Sequence, residues 1–340
     1  MKFIKTTLWA LCVCLFVACG DDDDNNGNGG KNGGNNGGGE TPTEKVTLMT
    51  EINILIGDKK LPYRVFTYDD NNQLSKAVEN GYNSNGELDY SATTTLTRNG
   101  NTVTAIMQYD ESEDDDEDAQ SRIKMELIYD DKNNIIEKIV YASDDKTKKF
   151  VFTYTWADGK VIRIDKQLLL EDDSESAEVE FDAAGNAKLI TISRLPEDIP
   201  SDNTHNSSFS FFVNTSKKTN FFSLWPKEYV FIVDGDGEED FDYQVIESQC
   251  VNEISKEIFK SEYKNYNNSS KEILLSEYST ELFYETTYKY DDGGLPSEVI
   301  RAYSSRHITI DYENSDHDSE TNHEPYFAKL YPVFVEKDKK

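Results

Sequence analysis

The sequence predicts an all-β fold, an elongated antiparallel β-meander of repeated hairpins that could also curl into a barrel. Apolar and polar residues alternate with a period of two over most of the chain after Val46, which is typical of strands with one buried and one solvated face. A short turn motif recurs between these runs and begins with an aromatic residue. Together the two patterns indicate strands joined by tight turns.

Residues 1–18 are predicted to be a lipoprotein signal peptide. Two lysines precede an apolar run at residues 8–17, which is shorter than the ~20 residues that a transmembrane helix needs. The segment that ends in Ala18-Cys19 resembles the lipobox of bacterial lipoproteins, although Phe16 replaces the usual aliphatic residue. The resemblance implies that the chain is cut before Cys19, that the Cys19 thiol carries a diacylglycerol and that the new amine is acylated.

Residues 19–45 are predicted to be the lipidated cysteine followed by a disordered tether. Residues 25–39 contain only Asn, Gly and one Lys, so they cannot pack a core. Before them stands an acidic run of four residues, Asp21, Asp22, Asp23 and Asp24. This run is similar to the export signal of surface lipoproteins from gut-dwelling Gram-negative anaerobes, which implies an outer-membrane protein that faces the cell exterior. The alternative is a solvated charge run on a lipoprotein that faces the periplasm.

The body, residues 46–340, is predicted to be one β-meander with a candidate break near 194–208, where two prolines stand. Clear alternating runs cover residues 46–56, 123–129, 150–156 and 278–290, with the first placing Val46, Leu48 and Ile52 on one face. In the last and longest run, residues 278–290, Tyr, Thr and Leu form the face that we expect to be buried.

The turn motif consists of an aromatic residue, an acid, two polar residues, Gly or Asn, a polar residue and an apolar residue. Copies and variants occupy residues 68–74, 129–135, 154–161, 181–187 and 290–295. We expect the Asp side chain to accept hydrogen bonds from the turn backbone, and the Gly or Asn to adopt a positive φ. The segment Arg98-Asn-Gly-Asn101 predicts a further hairpin.

The Tyr-Asp turn resembles the YD/RHS type of repeat. The stretch from about residue 63 to 313, with its tandem hairpins and irregular aromatic segment at 221–229, resembles an uncharacterised family of anaerobe surface lipoproteins with a porin-like β-meander domain. The resemblance implies that fold and brings no activity and no catalytic residues. "Porin-like" describes shape, because the charge pattern of this chain leaves no apolar band to face lipid.

Charge and cysteine content exclude several classes of partner. The formal net charge is −30, and loss of residues 1–18 removes two lysines and no acids, which leaves −32. Such a chain lacks the basic surface that nucleic acids or an anionic membrane require, so we expect membrane contact through the covalent lipid only. With Cys19 lipidated, Cys250 has no cysteine to pair with and is expected to be a small buried apolar residue.

Metal binding is predicted to be weak at most. Asp234, Asp236 and Asp240 begin like a calcium loop, but Glu239 and Val245 stand where an EF-hand loop requires Gly and Glu. A weak calcium site is the alternative to a plain acidic loop, and no other cofactor is predicted. The two histidines near the carboxyl end lack a recognised ligand spacing.

The sequence carries no G-x-S-x-G, H-E-x-x-H or P-loop motif, and no pair of carboxylates stands out. Trp225 and Tyr229 in the irregular aromatic segment form the candidate ligand platform, whereas Trp156 is expected in the core. The leading hypothesis is a non-enzymatic binding or interaction module with a glycan or protein partner. The alternatives are a glycan-binding accessory protein or weak hydrolase in polysaccharide uptake, and a structural envelope component. An enzyme would need a pocket with convergent carboxylates, one of which has a raised pKa. A structural component would need a free sheet edge for self-association.

Overall fold

The computed structural model describes residues 45–110, 122–169, 173–195, 204–213, 218–233, 242–267, 270–311 and 316–339. In these residues sixteen antiparallel strands form a closed barrel, in which strands that follow one another along the chain are also neighbours in the sheet. The first strand pairs with the last, from Lys45 opposite Asp338 to Ile54 opposite Leu330, and this pairing closes the barrel. The predicted meander of hairpins is confirmed, and it adopts the barrel form.

The strands are β1 Lys45–Ile56, β2 Lys59–Tyr68, β3 Leu74–Tyr82, β4 Leu88–Asn99, β5 Thr102–Asp110, β6 Arg122–Tyr129, β7 Ile135–Tyr141, β8 Lys148–Ala157, β9 Lys160–Leu168, β10 Asp173–Phe181, β11 Ala187–Leu195, β12 Thr204–Val213, β13 Ile254–Asn267, β14 Ser270–Tyr290, β15 Pro296–Asp311 and β16 Asp316–Asp338. Between β12 and β13 lie a 3-10 turn at Phe222–Leu224 and two short helices, α1 Tyr229–Ile232 and α2 Tyr243–Gln249. Strands β11 and β12, which flank the candidate break near 194–208, pair with each other in the same sheet.

Alternation along the strands separates the inside of the barrel from the outside. On β8, Phe150, Phe152 and Tyr154 are buried, whereas Thr153 and Thr155 are exposed. On β10 and β11 the same alternation buries Ala177, Val179, Ile190 and Ile192 and exposes Glu178, Lys188 and Thr191, although Glu175 in the inward phase is buried as well. The interior is therefore a packed apolar core and the outer face of these strands is polar, the reverse of the pattern on strands whose outer face contacts lipid.

Four of the five predicted turns have the predicted chemistry. Asp69 Oδ1 accepts hydrogen bonds from the backbone N–H groups of Asn71 and Gln73 at 2.8 and 2.9 Å, and Asn72 has a φ of 61°. Asp130, Asp182 and Asp291 accept equivalent bonds in their own turns. Because each of these turns needs one residue with positive φ, Asn or Gly occupies that position in all four.

The prediction of which residues of the first strand point into the core is wrong on one side of a β-bulge. The pairing of β1 with β16 shifts between Met49 and Glu51, so one extra residue lies in β1 at that point. As a result Met49 and Ile52 are both buried, whereas Val46 and Leu48 stay only partly covered. Strict alternation over residues 46–56 cannot predict this change of face, because the bulge depends on the partner strand.

The predicted buried face of β14 is only half correct. Near the end of the strand Thr286 is buried, as expected, but Tyr278 is 46% exposed. Strands β14 and β16 have 21 and 23 residues and are longer than the strands on the other side of the barrel. Part of β14 therefore extends beyond the packed core, and its alternation continues without a core to bury it.

The described residues of the connection between β12 and β13, which are 218–233 and 242–253, are called the inserted segment here. Its apolar side chains join the same core as the inward side chains of the strands: Phe221, Phe222, Phe231, Ile232, Val245 and Ile246. Its helices have four and seven residues, and in the part of the chain that the structure describes no helix is long and apolar enough to cross a membrane. The inserted segment therefore fills the barrel from within.

A buried ion pair fastens the inserted segment to the barrel wall. The Lys138 Nζ on β7 lies 2.5 Å from Asp242 Oδ1 at the start of α2, and the Tyr154 hydroxyl donates a hydrogen bond to the other carboxylate oxygen. Lys138 is fully buried and its ammonium also lies 4.0 Å from the centre of the Phe152 ring. Removal of either partner would leave the other charge buried and unpaired, so the pair holds the start of α2 against β7.

Candidate functional site

Several residues singled out from the sequence lie outside the described part of the chain. They are the predicted lipid attachment site, the acidic export signal and the weak calcium candidates: Cys19, Asp21, Asp22, Asp23, Asp24, Asp234, Asp236 and Asp240. Within the described ranges no group of three or more His, Cys, Asp or Glu side chains could hold a metal ion. Cys250 is buried, as expected, and burial raises the pKa of its thiol to about 12, so it is not a reactive thiolate.

A cavity of about 400 Å³ lies between the inserted segment and the barrel wall. Strands β1 to β4, β15 and β16 supply the wall, and Trp225 and Phe222 supply the opposite side. A second cavity of about 430 Å³ adjoins it, and the two share Gln244, Glu247 and Arg301 as lining residues. The volumes fall within the ~300–1,000 Å³ that is typical of small-molecule sites.

The cavity lies toward the end of the barrel that is opposite the start of β1. Its wall includes Ile56 at the end of β1, Tyr82 at the end of β3 and the exposed Asp89 near the start of β4. The inserted segment leaves β12 and enters β13 at the other end, where Lys227 also donates a hydrogen bond to the Asn133 carbonyl in the β6–β7 turn. The cavity therefore opens away from the end at which the chain enters the barrel.

An arginine–aromatic cluster forms one side of the cavity. Arg64 on β2 pairs with Glu79 on β3 at 3.4 Å, and the Tyr229 hydroxyl donates to the other oxygen of Glu79 at 2.9 Å. The Arg64 guanidinium carbon lies 4.8 Å from the centre of the Trp225 ring and 4.7 Å from that of Tyr63. Stacking on two rings and pairing with Glu79 fix the guanidinium in place.

The structure brings the two predicted platform residues together, but inside the barrel. The ring centres of Trp225 and Tyr229 are 5.7 Å apart, and the two residues are 8% and 3% exposed. Trp225 lines the cavity, whereas Tyr229 lies behind it against Phe66. A sugar-stacking surface on the outside of the protein therefore cannot use this pair, and any ligand that touches Trp225 must enter the cavity.

A second arginine cluster lies where the two cavities meet. The Arg301 Nη2 on β15 lies 2.9 Å from Glu247 on α2 and 2.6 Å from Glu257 on β13, and the guanidinium carbon is 4.7 Å from the centre of the Tyr284 ring. Burial raises the pKa of Glu257 well above its usual value, and the nearby Glu247 adds to the rise, whereas Arg301 opposes it. The cluster thus joins one guanidinium to two acids, of which Glu257 holds its proton more tightly than a free glutamate does.

A proton on Glu257 would account for two oxygens that otherwise lack a donor. Among the described residues, Glu247 Oε2 and Glu257 Oε1 are buried and no N–H or O–H group donates a hydrogen bond to either of them. Glu247 and Glu257 are within hydrogen-bonding reach of each other, so a proton on Glu257 satisfies both carboxyl groups. The arrangement fastens α2 to β13 and β15 through the Arg301 side chain.

Four further buried polar atoms on cavity-lining residues have no partner among the described residues. They are three donors and one acceptor: Arg64 Nε, Arg301 Nε, Trp225 Nε1 and Gln244 Oε1. Leaving a buried polar atom unpaired costs about 1–3 kcal/mol, so most proteins avoid it. Four such atoms on the residues of one cavity are an unusual concentration of unpaired polar groups.

Gly81 makes room for another aromatic residue of the wall. Gly81 lies directly opposite Tyr90 in the β3–β4 pairing, and a Cβ atom on Gly81 would collide with the Tyr90 ring. Tyr90 therefore covers the glycine and lines the cavity near its exposed rim, where 42% of the residue is accessible. A glycine inside a strand is otherwise unfavourable, which points to a role in shaping the wall.

The two arginines and their partners do not stand out in the sequence. On β15, Arg301 lies on the same inward face as Val299 and Tyr303, so a charged residue interrupts a series of apolar ones. On β2, Arg64 lies on the same face as the buried Phe66. A charged residue in the buried phase of a strand is the signal that could have identified both. Glu247 and Gln244 carried no such signal, because the position of α2 inside the barrel was not predictable from local sequence.

No protein-family model matches the chain, and no curated protein matches it. Among solved structures, a porin-like protein from Bacteroides uniformis ATCC 8492 is similar with 12% sequence identity and a TM-score of 0.45, over 87% of this chain and 97% of that one. A porin-like protein from Bacteroides vulgatus ATCC 8482 is similar with 13% identity and a TM-score of 0.31, over 85% of this chain and 98% of that one. At these values neither similarity indicates what this chain binds or does.

Proposed function

We propose that this protein is a lipid-anchored, outward-facing protein of the outer membrane that binds a small molecule inside its barrel without transforming it. The observation that carries the proposal is the cavity of about 400 Å³ with unpaired polar atoms on Arg64, Arg301, Trp225 and Gln244. These four atoms are themselves covered, so a ligand reaches them only when their side chains turn toward the cavity. A ligand bound in this way would pair them and bury apolar surface on the aromatic wall, and both effects favour binding.

The predicted anchor suits a protein that is displayed at the cell surface. The lipobox-like Cys19 and the acidic run Asp21–Asp24 support attachment and export. A binding protein held in this way can collect molecules from the surrounding medium.

A structural role in the envelope receives less support from the fold. Such a component would use a free sheet edge for self-association, yet all sixteen described strands have a neighbour on both sides. The inserted segment also occupies the interior, so the barrel does not resemble an open channel. The closed sheet and the filled interior favour a protein that holds a ligand over one that polymerises or that forms an open channel.

A weak hydrolase is the second candidate, because the cavity region contains two acids and one has a raised pKa. Glu257 is fully buried and, unlike Glu247, does not line either cavity. Both acids also bind the same guanidinium, which leaves no gap between them for a sugar and a water molecule. These contacts favour a positioning role for the pair over acid–base catalysis.

Filling the cavity should abolish ligand-induced stabilisation. Ala328 lines both cavities, so we expect Ala328→Phe, or the smaller Ala328→Met, to remove the rise in Tm that binders produce in the unaltered chain. The measurement is a thermal-shift screen of residues 20–340 against neutral, anionic and apolar small molecules. The matched control is Ala157→Phe, at an exposed position on β8, which should respond like the unaltered chain.

If binders stabilise Ala328→Phe and the unaltered chain equally, the cavity is not the binding site. If no compound of any class raises the Tm of the unaltered chain, the proposed binding function fails. Folding of each variant is judged from its own cooperative transition, and Ala328→Met keeps the test decisive should the larger side chain prevent folding.

Replacing Cys19 with Ser should release the protein from the membrane. Stable anchoring requires at least two acyl chains, and the variant has no thiol to carry a diacylglycerol. Membrane and soluble fractions of cells that express each form are compared by immunoblot, with Cys12→Ser in the signal peptide as the control. Retention of the Cys19→Ser protein in the membrane fraction after alkaline washing would contradict the anchor.

A further inference from the structure

We propose that the ligand of the cavity is an uncharged saccharide of one or two rings. This inference rests on the proposed function, because it names the ligand class of the same site. It depends on three features of the described residues: the charge balance of the cavity, its donors and acceptor, and its aromatic wall. Each feature is consistent with a sugar, and together they disfavour anionic and purely apolar ligands.

The guanidinium charges of the cavity are already compensated. Arg64 pairs with Glu79, and Arg301 pairs with Glu247 and Glu257. A carboxylate or phosphate ligand would therefore compete with acids that are already in place, and it would approach a chain with a formal net charge of −30 past the exposed Asp89. An uncharged ligand meets neither obstacle.

The unpaired atoms can be satisfied by oxygen atoms that both accept and donate hydrogen bonds. Arg64 Nε, Arg301 Nε and Trp225 Nε1 are donors, whereas Gln244 Oε1 is an acceptor. A hydroxyl group can do both, because it has one O–H and two lone pairs. A ring that bears several hydroxyls can satisfy both kinds of group, which a hydrocarbon or a fatty-acid chain cannot.

Aromatic rings line the cavity beside these polar atoms. Trp225, Tyr63, Tyr82 and Tyr90 all contribute to the wall, and Tyr284 and Tyr303 line the adjoining cavity. The C–H faces of a sugar ring are apolar and pack on such rings, while its hydroxyl edge reaches polar groups. Because the two cavities share Gln244 and Arg301, a second sugar ring can extend from the first cavity into the next.

The two tryptophans of residues 19–340 allow a direct test. Trp225 lines the cavity, whereas Trp156 donates a hydrogen bond to the Ile135 carbonyl on the barrel wall and does not line it. Trp156→Phe therefore leaves Trp225 as the single reporter. The Trp156→Phe chain is titrated with glucose, galactose, maltose and cellobiose, with glucuronate and galacturonate as anionic probes and decanoate as an apolar probe, and affinities are confirmed by calorimetry.

We expect at least one neutral sugar to change the emission of Trp225 and to bind more tightly than its uronate counterpart. Trp225→Phe, which keeps an aromatic ring but lacks the N–H, and Gln244→Met should each weaken that binding by about tenfold or more. Trp156→Phe should bind as the unaltered chain does. Glu298→Gln, which alters the ion pair with Lys289 and does not line the cavity, serves as a second control.

The remaining outcomes overturn the inference in distinguishable ways. Binding of a sugar that is indifferent to Trp225→Phe and Gln244→Met would place the sugar site elsewhere. Binding of decanoate or a uronate, but of no neutral sugar, would reject the ligand class and leave the proposed binding function standing. If none of these probes and no compound in the thermal-shift screen binds, both the ligand class and the proposed function are wrong.

Discussion

Replacing Asp242 with Ala should destabilise the protein by about 3–5 kcal/mol, because the substitution leaves the buried Lys138 ammonium without its carboxylate. The Tyr154 hydroxyl loses its acceptor in the same step. The free energy of unfolding is measured by urea titration with both fluorescence and circular dichroism. Coincidence of the two transitions shows whether the inserted segment and the barrel still unfold together.

The double variant Lys138→Met with Asp242→Leu supplies the control for this prediction. It removes both charges and replaces them with apolar side chains, so it should recover most of the stability that Asp242→Ala loses. Near-equal losses in the single and double variants would show that packing, and not an uncompensated charge, governs the site. A loss below about 1 kcal/mol in Asp242→Ala would contradict the structural importance of the ion pair.

Replacing Arg301 with Met should cause a loss of stability that grows with pH. Without the guanidinium, Glu247 and Glu257 remain buried together with no cation between them, which we expect to cost about 3–5 kcal/mol at neutral pH. At acidic pH both acids can be protonated, so the difference from the unaltered chain should shrink. Urea midpoints measured from about pH 5 to about pH 8 give the comparison.

The direction of this pH dependence follows from the raised pKa of Glu257. In the folded chain Glu257 keeps its proton at pH values where the unfolded chain has lost it, so the folded state binds more protons. Its contribution to stability is therefore present below the usual glutamate pKa and is lost as pH rises toward the raised value. Arg301 opposes the rise in the pKa of Glu257. Its removal therefore raises that pKa further and enlarges the dependence of stability on pH.

Two further variants control the second prediction. Arg306→Met alters another arginine of β15 whose side chain is 49% exposed, so it should change stability by about 0.5 kcal/mol or less. Glu257→Gln mimics the protonated acid and should flatten the pH dependence that the unaltered chain shows. An Arg301→Met chain with the same pH profile as Arg306→Met would refute the proposed charge arrangement.

The strands and turns were predictable because their signals are local. The Asp69 and Asp130 turns follow from a side chain that bonds backbone groups two and four residues away, with Asn72 and Asn133 at the positive φ. The bulge after Met49 was not predictable, since it depends on the register against β16. Closure of the barrel likewise depends on contacts between the two ends of the body.

The site was predictable only in part. Trp225 was identified as a candidate because it lies in an irregular aromatic segment, but its place inside the barrel depends on how that segment folds back between β12 and β13. Arg64 and Arg301 come from strands far apart in the sequence and meet the same cavity only after closure. The residues that give the cavity its polar character are thus joined by tertiary structure alone.

The pairing of β1 with β16 determines when this chain can finish folding. Lys45 and Asp338 are partners, so the sheet stays open until β16 is available to pair with β1. A chain that emerges gradually, whether from the ribosome or across a membrane, must therefore hold two unpaired sheet edges for the whole of that passage. Contacts between such distant residues also slow folding. An exported form of this protein would thus depend on protection from aggregation until β1 and β16 pair.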